Sequence, residues 1–261
     1  MLQSLIHIRD LTLRLDGQEI LWDFSLDVFP GEYLALVGAN GAGKTSLIKC
    51  LAGIQRAWQG QIQIDGRDLR QYRQRALARR LSYVPQAADG DIPFTCREYV
   101  LMARYPHLSP FTSLRQADHD LVEQCLIRTG VIALRDRQIA TLSGGERQMV
   151  AIAAALAQGA AIMLLDEPTA FLDYRHQQEV LRMLGDLNRQ HGLTIVTAIH
   201  DINAACRWST RVAALRAGRL LSCVPPEEIL QPAMLAKIYD THFAMAAMPD
   251  GRRLAALEAG P

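Results

Sequence analysis

The sequence lacks a close pair of cysteines. Its five cysteines are scattered along 261 residues, and such spacing fits neither a disulfide framework nor a zinc site, so we expect ordinary buried thiols in a reducing compartment. A strong charge is also missing, because the formal net charge is +1. The composition therefore gives no bias towards nucleic acid or an anionic membrane, and no nucleic-acid partner is expected.

No segment has the form of a signal peptide or a membrane span. The N-terminal letters MLQSLIHIRDL contain no apolar run of the required length. Residues 149–165 are almost wholly apolar, but Gln158-Gly159 interrupts them and Asp166-Glu167 ends them. The stretch is too short to cross a bilayer. It predicts a buried helix, a turn and a buried strand in a soluble protein that reaches any membrane through a partner.

Hydrophobic periodicity predicts two kinds of sheet. Alternating apolar residues at 6–15, 20–28 and 60–65, with a turn at Asp16-Gly17, predict a small antiparallel sheet. Beyond residue 160, strand and helix patterns alternate, which is typical of a parallel sheet with covering helices. We expect residues 226–239 to be helical and residues 243–257 to form a hairpin turning at Asp250-Gly251.

Residues 67–80 are rich in arginine. They contain six arginines and one acid, which would suit a nucleic-acid patch. Apolar residues recur there at helical spacing, so a solvated helix face is the favoured interpretation.

The motif GANGAGKT follows the apolar strand pattern of residues 34–37 and precedes a helix that opens at Ser46. Glycines allow backbone N–H groups to close around phosphate oxygens, and a helix N-terminus adds its positive dipole end. An ordinary glycine-rich turn is the alternative, but the strand–loop–helix context favours a phosphate loop. We predict a nucleoside triphosphate site made by Gly38, Ala39, Asn40, Gly41, Ala42, Gly43, Lys44, Thr45 and Ser46, with Lys44 on the phosphates and Thr45 on Mg²⁺.

Two carboxylates end the apolar strand pattern IMLLDE. Asp166 is suited to hold Mg²⁺ through a water, and Glu167 to polarise the water that attacks the γ-phosphate. A strand that simply meets solvent is the alternative. The phosphate loop about 120 residues upstream favours the catalytic interpretation.

The letters LSGGE precede another apolar helix pattern. Ser143, Gly144 and Gly145 offer a hydroxyl and exposed backbone N–H groups at a helix start, which is a second anion site. A capping box between Ser143 and Glu146 is a compatible alternative. Because one phosphate loop suffices for one nucleotide, this second site is predicted to serve a neighbouring chain's nucleotide.

GANGAGKT, LSGGE and MLLDEP together resemble the ATP-binding cassette (ABC) ATPase family over about residues 1–240. The resemblance implies an α/β fold: a P-loop RecA-like core with an antiparallel β subdomain and a helical insertion. We expect a single domain over residues 1–261, with the helical subdomain at about 88–157 and a C-terminal helix and hairpin at about 226–257.

The resemblance also implies roles for three further residues. Gln86 matches the glutamine that senses Mg²⁺ and the attacking water, Asp173 matches a residue that contacts the opposite subunit, and His200 matches the switch histidine at the γ-phosphate. It implies a head-to-tail homodimer with two ATP molecules, each held by Lys44, Thr45, Gln86, Asp166, Glu167 and His200 of one chain and Ser143 and Gly145 of the other.

Shorter stretches, Arg104-Tyr105-Pro106-His107 and Asp173-Tyr174-Arg175-His176-Gln177, are similar to a narrower group, the ATPases of importers for iron chelates, haem and cobalamin. One position departs from the family pattern. Leu15 stands where an aromatic ring normally stacks on adenine, which leaves Trp22 as an alternative stacking residue.

The narrower similarity implies import of a metal chelate. It implies integral membrane permease subunits, a separate solute-binding protein and a peripheral position on the cytoplasmic face of the inner membrane. The alternatives are an ABC ATPase for another transported substrate, a non-transport ABC ATPase in DNA repair or translation, and a regulatory module without turnover. The sequence shows no coiled-coil insertion or tandem cassette, and it retains Glu167 and His200.

Overall fold

The computed structural model describes residues 3–86, 93–109, 113–248 and 253–258. The chain forms two compact units, residues 1–71 with 194–261 and residues 72–193. The strands are β1 (Ile6–Leu15), β2 (Gln18–Val28), β3 (Tyr33–Val37), β4 (Trp58–Ile64), β5 (Arg67–Asp68), β6 (Leu81–Val84), β7 (Ile162–Asp166), β8 (Thr194–Ala198), β9 (Arg211–Arg216), β10 (Arg219–Val224), β11 (Phe243–Ala247) and β12 (Arg253–Leu257). The α-helices are α1 (Lys44–Leu51), α2 (Gln74–Ala78), α3 (Cys96–Met102), α4 (Gln116–Arg128), α5 (Gly144–Ala157), α6 (Tyr174–His191), α7 (Ile202–Trp208), α8 (Pro226–Ile229) and α9 (Pro232–Tyr239).

The first unit contains the predicted antiparallel sheet, with strand order β2-β1-β4-β5. Asp16 and Gly17 both have positive φ, 49° and 80°, which is the conformation of a type I′ hairpin turn. Ile6 pairs with Val28 and Leu15 with Gln18 across the hairpin. The alternation of apolar residues therefore places one face of β1 in the core, where Ile6, Ile8, Leu11 and Leu13 are fully buried.

Parallel strands in the same unit carry the phosphate loop. β3 lies between β8 and β9 and runs parallel to both, while β10 pairs antiparallel with β9. All five residues of β3 and all five of β8 are buried, as is usual for a parallel strand covered on both faces.

The C-terminal part of this unit differs from the expected single helix. Residues 226–239 form the two helices α8 and α9, separated at Leu230 and Gln231, because Pro232 has no N–H to donate and suits the first position of a new helix. β11 and β12 pair antiparallel, as predicted; the turn at Asp250-Gly251 lies outside the described residues.

The second unit has a helical core of its own. α3, α4 and α5 bury the apolar residues Cys96, Val100, Val122, Cys125, Leu126, Val150 and Ala153 against one another. Arg104, which follows α3, connects it to the other two helices. Its Nε donates to Asp118 in α4 at 2.9 Å, and its Nη1 donates to the Ala157 carbonyl of α5 at 2.8 Å. The Arg115 backbone N–H and the Arg104 guanidinium hold the pKa of Asp118 below its usual value.

Residues 67–80 do not form the single helix face that we expected. They comprise β5, a short 3-10 turn at Leu69–Gln71 and the short helix α2. In the first unit, Arg70 donates to the Trp58 carbonyl at 2.7 Å and lies over the Trp58 ring. In the second, Arg75 and Arg79 both donate to the Pro106 carbonyl, at 3.0 and 2.7 Å. These tertiary partners decide the conformation.

All five cysteines are free. Cys50, Cys96 and Cys125 are buried as predicted, whereas Cys206 and Cys223 are partly exposed. In the described ranges of the chain, every helix is too short or too polar to cross a membrane.

Candidate functional site: a phosphate loop and two strand-end clusters

The phosphate loop joins β3 to α1, and the helix begins at Lys44, two residues before the predicted Ser46. Gly38, Gly41 and Gly43 have φ values of 145°, 77° and 100°, which other residues rarely adopt. A Cβ at Gly38 would overlap the carbonyl oxygen of Leu215. Glycine at position 38 is therefore required by both backbone conformation and space.

Lys44 folds back over this loop. Its side chain is only 4% exposed, and Nζ donates to the carbonyl oxygens of Gly38 at 2.8 Å and Ala39 at 3.1 Å. Ala39, Asn40 and Gly41 are exposed at the tip of the loop. The loop thus combines exposed backbone, a helix N-terminus and one ammonium group, which is the donor set that a phosphate requires.

His200 leaves the same edge of the parallel strands as the phosphate loop. Leu36 pairs with Ala198, and the Ile199 N–H donates to the Leu36 carbonyl at 3.1 Å, so the two chain segments leave neighbouring strands side by side. His200 is exposed, and Asp201 after it caps α7 by accepting from the Asn203 N–H at 2.8 Å. The loop and the predicted switch histidine therefore lie at the same edge of the parallel strands.

The two candidate stacking residues differ in their surroundings. Leu15 is half-buried at the end of β1. Trp22 is also half-buried, and the Arg219 guanidinium carbon lies 5.4 Å from the centre of its ring. A cation over one ring face restrains Trp22, so only its other face could meet a base.

In the second unit, Gln86 and Glu167 follow neighbouring strands. β6 and β7 are parallel, with Val84 opposite Leu165, and each of the two side chains lies two residues beyond this pair. Gln86 Nε2 donates to Glu167 Oε2 at 2.6 Å. Glu167 has a φ of 50°, a left-handed conformation that turns its side chain away from the direction of the strand.

Asp166 ends β7 and is 2% exposed. Its charge reaches Tyr83 on the neighbouring strand, whose pKa is raised to about 12 by burial and by the Asp166 carboxylate. A buried carboxylate needs hydrogen bonds or a cation to offset its desolvation. This fits the predicted role of Asp166 as a metal-site residue, since carboxylate oxygens suit Mg²⁺.

The predicted second anion site is a capped helix start. Ser143 Oγ accepts from the Glu146 N–H at 3.3 Å, and Glu146 Oε2 accepts from the Ser143 N–H at 2.9 Å, so the capping box is confirmed. The Ser143 N–H and the Ser143 hydroxyl both donate to Glu146 Oε2, and these two hydrogen bonds hold the pKa of Glu146 below its usual value. Ser143 and Gly144 are exposed, whereas Gly145 is buried.

Asp173 caps α6, and its carboxylate accepts from both the backbone and the ring of His176. Oδ1 lies 2.8 Å from the His176 backbone N and 2.8 Å from Nδ1, which keeps the pKa of Asp173 below its usual value. The His176 ring packs on Gly145. Sequence reasoning named His176 only within a similar stretch and did not predict this contact, because no local pattern reports a pair 31 positions apart.

Comparisons with known proteins identify the family of this chain. The family model described as ABC transporter matches residues 21–170. The ferric enterobactin transport ATP-binding protein FepC of Escherichia coli is 36% identical over 92% of this chain and 89% of its own length. The hemin import ATP-binding protein HmuV of Streptomyces coelicolor is 40% identical over 88% and 81%. A metal-chelate type ABC transporter solved in an inward-facing conformation is 25% identical, with a TM-score of 0.84 over 98% of this chain and 99% of that one.

The fold and the strand-end residues define an ATPase of the P-loop class. The chain belongs to the ABC transporter family, which confirms the predicted family and fold class, and it is similar to the ATP-binding subunits of importers for iron chelates, haem and cobalamin.

Proposed function

We propose that this chain is the ATP-hydrolysing subunit of an importer for a metal chelate of the ferric siderophore, haem or cobalamin class. The observation that carries the hydrolytic part is the hydrogen bond from Gln86 to Glu167, directly beyond the buried Asp166. A carboxylate held by an amide has a fixed orientation, which a residue that polarises an attacking water needs. The import of a metal chelate is supported by the named functions of the relatives.

The phosphate loop binds ATP through its backbone N–H groups and Lys44, and His200 contacts the γ-phosphate. Thr45, Asp166 and Gln86 supply a hydroxyl, a carboxylate and an amide oxygen, all hard oxygen donors that suit Mg²⁺. Because Gln86 Nε2 donates to Glu167, the other atom of the amide, Gln86 Oε1, is the one suited to bind the cation. When bound, Mg²⁺ would supply positive charge to the phosphate oxygens.

Two copies of the chain pair head to tail, and each ATP lies between the phosphate loop of one chain and Ser143, Gly144 and Gly145 of the other. The exposed residues Ser143 and Gly144 at this helix N-terminus support the assignment. Asp173, which is also exposed, contacts the opposite chain. Binding closes the pair and hydrolysis reopens it, a motion that permease subunits in the inner membrane convert into transport of a substrate delivered by a solute-binding protein. The chain acts at the cytoplasmic face.

Uptake by living cells tests the import proposal. A strain that lacks the chain should lose uptake of one labelled substrate among a ferric siderophore, haem and cobalamin. The wild-type gene should restore that uptake and a Lys44→Ala gene should not, because the buried ammonium of Lys44 is needed for ATP binding. Unchanged uptake of all three substrates would contradict the proposal of a metal-chelate importer but would not contradict the assignment of ATP hydrolysis.

Crosslinking tests the shared site. A Ser143→Cys, Lys44→Ala chain cannot hold ATP on its own loop, yet its position 143 should be labelled by a thiol-reactive ATP analogue when a chain with Lys44 is added. The same chain alone is the control. If labelling at position 143 requires Lys44 of its own chain, the nucleotide is not shared between chains.

A further inference from the structure

Steric crowding at position 145, and not backbone conformation, explains the glycine there. It lies inside α5 and, unlike Gly38 or Gly43, it is not among the glycines with positive φ. A Cβ at position 145 would lie 3.0 Å from Cγ and Cδ2 of His176 and 3.3 Å from its Cβ. These distances are too short for carbon atoms in ordinary contact. The space that a side chain would need is filled by the imidazole ring.

The neighbouring glycine provides the contrast. A Cβ at Gly144 would meet only Leu172 Cδ2, at 3.9 Å, which is ordinary van der Waals contact. Gly144 is exposed and Gly145 is buried. Two adjacent glycines of one helix therefore differ in whether alanine fits, and the difference is due to His176.

The ring is fixed where it lies. His176 Nδ1 donates to Asp173 Oδ1 at 2.8 Å, and the same oxygen accepts from the His176 backbone N–H. Gln177 Nε2 donates to the Leu172 carbonyl at 3.0 Å, which ties the preceding segment to the first turn of α6. Moving the ring away from Gly145 would lengthen its hydrogen bond to Asp173. The carboxylate of Glu146 also attracts His176 when the ring is protonated.

We propose that His176 is a positioning residue, which locks the helix start at Ser143, Gly144 and Gly145 to the segment that ends at Asp173, so that both meet the neighbouring chain as one rigid piece. This rests on the proposed function, in which both regions face that chain. Each region alone is exposed and held by local caps. The packing of His176 on Gly145 is the close contact by which the two regions are held relative to each other.

A reversal of sign in thermal stability tests the contact. Gly145→Ala should lower the Tm of the nucleotide-free chain by about 2–4 °C, the scale of a modest steric strain in a chain of this size. In a His176→Ala background the same Gly145→Ala change should raise Tm, because alanine favours helix and now has room. Gly144→Ala is the matched control and should raise Tm in both backgrounds. If Gly145→Ala changes Tm equally with and without His176, the inference is wrong.

Turnover tests the positioning role. At saturating ATP, Gly145→Ala should lower kcat by several-fold, because the ring must shift by only a few tenths of an ångström, less than the displacement of about 1 Å that costs about 10²-fold. The Gly145→Ala, His176→Ala pair should recover to the kcat of His176→Ala alone, with KM for ATP within about twofold, because each chain's own loop binds the nucleotide. A Tm reversal with unchanged kcat would refute positioning.

Ser143→Arg separates this inference from the proposed function. If Ser143→Arg abolishes turnover while Gly145→Ala does not change it, the proposed function stands and the inference fails. If neither variant changes turnover, the helix start does not serve ATP, and the proposed sharing of each ATP between two chains fails as well.

Discussion

Replacement of Glu167 by Gln tests the hydrolytic role that we assign to this carboxylate. Glu167 occupies a left-handed conformation, with φ of 50°, so replacement by Ala or Gly would change the backbone preference together with the chemistry. Gln keeps the shape and the conformational preference and removes only the charge. We expect the free energy of unfolding to stay within about 0.5 kcal/mol of the wild type, so any loss of turnover reports chemistry.

Two effects set the size of the loss. Removing a positioned general base lowers the rate by about 10²- to 10⁴-fold. The hydrogen bond from Gln86, 2.6 Å long, also loses its charged acceptor. Because Gln86 is exposed, solvent screens this bond, and its loss accounts for about 1 kcal/mol, or roughly fivefold in rate. The base effect therefore dominates, and kcat should fall by at least about 10²-fold.

The assay is phosphate release at saturating ATP and Mg²⁺ for four proteins: wild type, Glu167→Gln, Gln86→Ala and the double variant. Gln86→Ala alone should lower kcat by about fivefold. If Gln86 acts through Glu167, it has nothing left to orient in the Glu167→Gln protein, and the double variant should equal Glu167→Gln. ATP binding should survive in all four, and a dimer held by ATP should accumulate for Glu167→Gln on a sizing column.

Two results would refute this reasoning. Hydrolysis by Glu167→Gln within a few-fold of the wild type would exclude Glu167 as the residue that polarises water. A fivefold loss from Gln86→Ala in both backgrounds would show that Gln86 acts independently of Glu167, as its proposed contact with Mg²⁺ would, and that the observed hydrogen bond has no catalytic consequence.

Three other variants test the remaining features. Lys44→Met removes the ammonium from the phosphate loop and should weaken ATP binding by more than about tenfold in a fluorescence titration. Arg104→Met leaves the Asp118 carboxylate, 13% exposed, without the Arg104 cation and should lower the free energy of unfolding in urea by about 3–5 kcal/mol. Because folding lowers the pKa of Asp118, the stabilisation by its carboxylate is present at neutral pH and is lost as pH falls through that lowered pKa. Leu15→Tyr should tighten ATP binding by a few-fold to about tenfold with kcat nearly unchanged, because stacking adds about 0.5–1.5 kcal/mol; if Trp22 stacks on the base instead, Trp22→Ala weakens binding and Leu15→Tyr adds little.

Features that depend on neighbouring residues were predictable from the sequence. The phosphate loop at residues 38–45 was predictable because its glycines adopt positive φ values that other residues rarely adopt. Ser143 and Glu146 form the predicted capping box. The hairpin at Asp16-Gly17 follows from the same local chemistry. Each of these signals lies within a few residues of the structure that it determines.

Contacts between distant residues were not predictable. Gln86 and Glu167 are 81 positions apart. The contact of His176 with Gly145 likewise corresponds to no hydrophobic periodicity in the sequence. Residues 67–80 show the same limit. Their spacing favoured one helix, but Arg70 binds the Trp58 carbonyl, and such a tertiary partner outweighs helix propensities of less than about 1 kcal/mol per residue.

Backbone strain is concentrated in the segment between Glu167 and Asp173. In the part of the chain that the structure describes, the non-glycine residues with positive φ are Asp or Ala at six positions, and the other two are Glu167 and Phe171, with φ of 50° and 60°. Asp tolerates this conformation, whereas longer and bulkier side chains adopt it at a cost of about 1–3 kcal/mol. Both strained residues lie between β7 and α6, and hydrogen bonds hold each end: Gln86 on Glu167, and Gln177 on the Leu172 carbonyl. The strained segment is therefore hydrogen-bonded at both ends, at Glu167 and at Leu172. If Asp173 contacts a second chain as proposed, that contact would act on the same segment that carries the Glu167 carboxylate.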